Sequence, residues 1–130
     1  MAGSSLAPAR AILLAAFPGV SVSQQAPKKL PRRFIRISRV GGKNTRELDA
    51  PLILVEAFAS TTDGEPDAAQ AEQDASAVDA AMRSASSSPT PWADRWVSMW
   101  EGGNIVDFPD PDEPHHSRWQ LTGTLYLLNN

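Results

Sequence analysis

The chain has 130 residues, 42% of them hydrophobic and 21% charged, with a formal net charge of −3. That length fits one domain spanning residues 1–130, which would bury roughly two-thirds of its unfolded surface. Cysteine is absent, so disulfides, thiolate metal sites and cysteine nucleophiles are excluded, and the acidic balance argues against non-specific binding to nucleic acid.

Leu6 to Phe17 reads as a first helix, with Ser4 and Ser5 available as caps and Pro8 in the first turn. Leu6, Ala9, Leu13, Ala16 and Phe17 make its apolar stripe, widened by Ile12 and Leu14, and Pro18-Gly19 ends it. The run AILLAAF could pass for the apolar part of a signal peptide, but only Arg10 precedes it, and an amphipathic helix explains it better. No run approaches the ~20 apolar residues that span a bilayer. Val20 to Gln24 is a short strand, and the segment APKKLP at 26–31 then interrupts pairing, as residues guarding a sheet edge do.

Two strands organise the chain: Arg32 to Gly42 and Leu52 to Ser60, both rich in β-branched and aromatic residues. In the first, Ile35 and Ile37 point one way and Phe34, Arg36, Ser38 and Val40 the other. In the second, Leu52, Leu54, Glu56 and Phe58 share one face, and Ile53, Val55, Ala57 and Ala59 the other. The pattern is that of a central strand buried on much of both faces. The charged stretch between them, Lys43 to Pro51, reads as a flexible loop. Thr61 to Pro66 is a turn in which Asp63 can cap a second helix, from about Asp67 to Ala85. Its stripe is Ala68, Ala71, Ala75, Val78, Met82 and Ala85. Residues 86–92 form a second flexible loop. Arg95 to Glu101 is then a strand, and Gly102-Gly103-Asn104 turns it back into Ile105-Val106. Residues 107–117, acidic and proline-rich, form the third flexible loop. The final strand, Arg118 to Leu128, puts Trp119, Leu121, Leu125 and Leu127 inward and Arg118, Gln120, Thr122, Thr124 and Tyr126 outward. The sum is an α+β domain: a mostly antiparallel sheet of four to five strands with two helices on one face.

Chemistry-bearing patterns are few. His115 and His116, beside Asp107, Asp110, Asp112 and Glu113, are the one metal-like cluster. Adjacent histidines on an extended segment point apart, however, and the plain reading is a solvated loop. Gly41-Gly42-Lys43-Asn44-Thr45 resembles the end of a phosphate loop but lacks the first glycine and opens no helix. No serine sits in a Gly-x-Ser-x-Gly elbow. The residues therefore point to no catalytic centre and no cofactor. Arg32, Arg33, Arg36 and Arg39 could touch phosphate, but no aromatic interleaving supports single-strand binding, and ion pairing with a neighbouring subunit explains them at least as well; exposed strand surface with long loops suits an assembly protein.

The order of these features resembles the tail terminator proteins of long-tailed, non-contractile phages, over nearly the whole chain. The residues carrying the likeness are PRRFIRISRVGG at 31–42, ELDAP at 47–51, EAFA at 56–59 with the alanine-rich helix after it, FPDPD at 108–112 and RWQ at 118–120. The resemblance implies a non-enzymatic virion protein, made in the host cytoplasm. It would form a ring, usually a hexamer, at the head-proximal end of the tail. The ring stops tube polymerisation and presents a surface for head attachment. Its partners would be further copies of itself, the major tail tube protein and a head-completion protein. Genome DNA would pass through the lumen without specific binding, and no membrane is involved. The interface candidates are Arg36, Arg39, Gly41, Gly42, Lys43, Arg46 and Asp49 around the diglycine, with Asp110 and Arg118 near the end. A head–tail connector or adaptor is the alternative within that class. Outside it stands a small ligand-binding domain, whose pocket Trp92, Trp96 and Trp100 would line.

Overall fold

The computed structural model describes residues 4–129. The elements are α1 (Ala7–Ala16), β1 (Ser21–Ser23), β2 (Arg33–Asn44), β3 (Leu48–Ala59), α2 (Ala68–Ala85), β4 (Val97–Gly102), β5 (Val106–Asp107) and β6 (Ser117–Leu128). The sheet order is β1-β2-β3-β6-β4, with β5 also on β6; all pairs are antiparallel except β1 with β2. The α+β class is as the sequence predicts, with six strands rather than four or five. No helix among the described residues is long and apolar enough to cross a membrane.

α1 buries Leu6, Ala9, Ile12, Leu13 and Phe17, while Ala16 and Leu14, expected on its stripe, are exposed. Neither serine caps it in the usual way: the cap position is Leu6, whose N–H donates to Ser4 Oγ at 3.1 Å. α2 is capped by Asp67, not Asp63, through a 3.1 Å bond from the Gln70 N–H to its carboxylate. Asp67 immediately precedes the first helical residue, where a carboxylate reaches the free N–H groups. Ala71, Ala75, Val78, Met82 and Ala85 are buried as the periodicity requires, but Ala68 is exposed.

The stretch expected to be a flexible loop at 43–51 is mostly strand. β2 and β3 form one long hairpin paired from Arg33↔Ala59 to Asn44↔Asp49, leaving only Thr45, Arg46 and Glu47 at the tip. A bulge between Arg39 and Gly41 hides this continuity by breaking the two-residue alternation. Gly42 then takes φ +101°, where a Cβ would collide with the Ala50 carbonyl.

The turn expected at Gly102–Asn104 does not reverse the chain. β4 pairs with the second half of β6 and β5 with the first, so the two form one interrupted strand along the same edge. The Gly103 N–H donates to the Thr122 carbonyl at 2.7 Å and keeps the break attached. β4 also starts at Val97, because Trp92 to Arg95 closes a tight turn with φ +47° at Ala93 and +63° at Asp94.

One cluster holds the core. Leu13, Ala75, Val78 and Met82 from the helices join Ile35, Ile37, Ile53, Val55, Leu121 and Leu125 of the sheet. Trp100 belongs to it: the indole lies over Gly123, and Nε1 donates to Asp79 at 2.8 Å. Glycine is required at 123 because a Cβ there would run into the ring.

Candidate interaction surface

The other sheet face is divided in two. At one end Phe34 and Phe58, cross-strand neighbours on β2 and β3, stack with centroids 4.4 Å apart and planes 8° from parallel. The segment 108–116 straps over this end. His116 meets Phe34 edge-on at 5.4 Å and places Nε2 2.9 Å from the Pro31 carbonyl.

Beside the stack sits a buried charge network. Glu56, 4% exposed, accepts two bonds from Arg36, each 2.9 Å, and one of 2.7 Å from Arg118. Asp110 lies 3.5 Å from Arg118 and 3.9 Å from Arg36. Arg118 also donates to the Phe108 carbonyl at 2.6 Å and spreads over the Phe108 ring. Two guanidinium groups thus face two carboxylates, which is how charges tolerate removal from water. Hydrogen bonding to Glu56 raises the Arg36 pKa above its ordinary value, against burial, and the charges of Glu56, Asp110 and Glu113 add to the rise.

A second network ties the tip end of the hairpin. Arg39 donates to Asp49 at 3.1 Å and to the carbonyls of Gly41 and Gly42. Arg95 lies 3.8 Å from Asp49 and donates to Asn129, which in turn donates to the Thr45 carbonyl at 2.8 Å. Lys43 and Arg46 project from the tip, exposed. The nine candidates therefore fall into three groups: Arg36, Asp110 and Arg118 around Glu56; Arg39, Gly41, Gly42 and Asp49 in the network next to the hairpin tip; Lys43 and Arg46 exposed at the tip itself.

The arginines of β2 have carboxylate partners within the chain. Arg33 forms a two-point pair with Asp74 of α2, and Arg36 and Arg39 are paired as above. The strand that looked charged and unsatisfied is neutralised within its own chain. Glu56, Asp74, Arg95 and Asn129 were missing from the candidates. Only Glu56 carried a signal, an acid in an apolar strand on the same side as Arg36.

Beyond the Glu56 network the face is open. Leu52 and Leu54 are half-buried, and Val40, Met99 and Leu128 are 52%, 47% and 43% exposed. Register puts Leu54 beside Ser38 and Thr122, Leu52 beside Thr124, and Met99 beside Tyr126, whose hydroxyl donates to Glu101 at 3.0 Å. β1 pairs with β2 only from Phe34 to Arg36, so the stretch from Ile37 to Asn44 has no strand on that edge among the described residues.

The tryptophans do not converge on one pocket. Trp100 is in the core, Trp96 is 41% exposed, and Trp92 alone lines a cavity of about 380 Å³ with Ile12, Ala15, Ala81 and Ala85. His115 is exposed, and no group of three metal-ligating side chains occurs among the described residues. No family model matches the chain, and no curated protein matches it.

Proposed function

We propose that the chain is a virion assembly protein of the tail terminator type. Copies form a ring on the head-proximal end of the tail tube of a long-tailed, non-contractile phage. The ring ends tube growth and offers the surface for head attachment. Besides the ordered likeness in sequence, one observation supports this reading: a sheet face closed by a strap at one end and left open over the rest, where Leu52, Leu54, Met99 and Leu128 stand among Ser38, Thr122 and Thr124. Exposed apolar area of that kind, next to an unpaired strand edge, is characteristic of surfaces that another protein covers. Repeated contacts between different patches on successive copies close into a ring. Function then lies in contact, not in chemistry.

Light scattering on the purified chain over a range of concentration, with and without tail tube protein, tests the reading. A ring of several copies, alone or on the tube end, is the expected result, and growing tubes to which the chain is added should stop lengthening. A chain that stays monomeric and leaves tube growth unchanged overturns it. A ring that binds head components but ignores tube ends favours the connector reading instead.

A further inference from the structure

The strap over the Phe34–Phe58 end is fastened at His116, and the fastening suits only one protonation state of the ring. Nε2 lies 2.9 Å from the Pro31 carbonyl, which can only accept, so Nε2 carries the hydrogen. In a neutral imidazole Nδ1 is then the bare nitrogen. It is shut off from solvent and has no hydrogen-bond partner among the described residues. A bare ring nitrogen stands such a place at modest cost. The N–H of an imidazolium, with neither water nor an acceptor to meet it, does not. The charges around the ring offer no relief. Arg36 of β2 pairs with Glu56 of β3, and Arg118 of β6 pairs with Glu56 and Asp110. Both guanidinium groups lie over the Phe58 ring, at 5.3 and 5.9 Å from its centroid, where His116 approaches it at 6.5 Å. On the strap, Glu113 acts on Arg36, while Asp112 and His115 are exposed. Before β2, Lys28, Lys29 and Arg32 flank Pro31, all of them exposed cations. No carboxylate forms an ion pair with His116 among the described residues.

We propose that His116 is a pH-sensitive catch: on gaining a proton at Nδ1 it releases the strap and uncovers the Phe34–Phe58 stack. The open strap lets Nδ1 meet water and the closed strap does not. The proton therefore binds the open form better, and falling pH favours opening. The change belongs to the range in which imidazole ordinarily titrates, about pH 6.5 and below, before carboxylates take up protons. Little else holds the strap down between its ends. Asp110 contributes contacts of 3.5 and 3.9 Å, and the remaining bonds are turns of the strap itself. Its ends stay on β6, through the 3.0 Å bond from the Phe108 N–H to the Arg118 carbonyl and through the pairing of Ser117 with Ala59. Phe34 and Phe58, each 1% exposed under the closed strap, share their sheet face with Leu54. Opening thus extends the uncovered face to two aromatic rings, and the strap sets how much apolar surface the chain offers another protein. The catch is a property of the single chain and stands whether or not copies form a ring.

Amide exchange of the full-length chain between about pH 8 and about pH 5.5, corrected for the intrinsic rate, tests this. The amides of Asp112, Glu113 and His116, each hydrogen-bonded within the strap, are the probes. Their opening should increase as pH falls, approaching roughly tenfold per pH unit, the slope of one proton, while β3 and β6 keep their protection. His116→Phe keeps an aromatic ring beside Phe34, and His116→Gln keeps a donor for the Pro31 carbonyl. Neither titrates, so both should lose the pH response, and His115→Gln, at an exposed position, should retain it. A strap that is equally or better protected at the lower pH overturns the catch. A response that survives in either His116 variant overturns it too. So does loss of protection by strap and sheet together, which would be unfolding of the whole chain and not the release of a cover.

Discussion

Glu56 shows how one residue can close half of a sheet face. It sits in an otherwise apolar central strand, yet its two oxygens receive three hydrogen bonds from Arg36 and Arg118. Glu56→Ala would leave Arg118, whose side chain is 10% exposed, with only the longer Asp110 contact and the Phe108 carbonyl, and should cost up to about 3 kcal/mol, read as a lowered urea midpoint. Gly123 governs the opposite face by absence of a side chain. Gly123→Ala forces the Trp100 ring from its seat and should cost about 1–3 kcal/mol in the same measurement. Asp79 gives the acid limb of stability a defined contributor. Burial pushes its carboxyl up, but the bonds from Trp100 and Arg83 and the Arg83 charge outweigh this and hold it below its ordinary 3.8. Because the folded value is the lower one, the contribution is full above the unfolded pKa and is lost as pH falls toward the folded pKa. Asp79→Asn should therefore flatten the fall in stability below about pH 4 and leave its slope at neutral pH unchanged.

The strap and the hairpin differ in how they are held. The strap rests on a few side chains: Asp110 through longer ion-pair distances, and His116 through the aromatic stack and the Pro31 carbonyl. His116→Ala removes an edge-to-face contact worth about 1 kcal/mol. Amide exchange across residues 108–116 should accelerate, while the protection of β3 and β6 stays as it was. The hairpin is held by a ladder down to Asn44↔Asp49, interrupted once at the bulge, and by Asn129 beside its tip.

At the scale of the whole molecule, the charges divide into those paired inside the fold and those exposed without a salt bridge among the described residues, Lys28, Lys29, Lys43, Arg46, Glu72 and Asp112 among them. If the latter join copies, the assembled mass should fall as ionic strength rises from tens of millimolar to about 1 M, where the screening length contracts to about 3 Å. The same salt should scarcely move the melting temperature of the monomer, because Glu56, Asp74 and Asp49 are buried with their partners. Light scattering and thermal unfolding over one salt series would separate the two effects.

The sequence determined which side of each strand every residue takes, because alternation has a period of two whatever lies alongside: Ile35, Val55 and Leu121 inward, Phe34, Glu56 and Arg118 outward, with the stripe of α2 set likewise by helical period. The bulge at Val40 interrupted that period, so the far half of the hairpin read as loop until pairing was seen. Which charges meet was decided by tertiary structure alone. Glu56 and Arg118 are 62 residues apart and Arg33 and Asp74 are 41 apart, and such contacts arise only when strand order and helix placement bring distant segments together. Local pattern fixes the direction of a side chain; its neighbour is chosen by the fold.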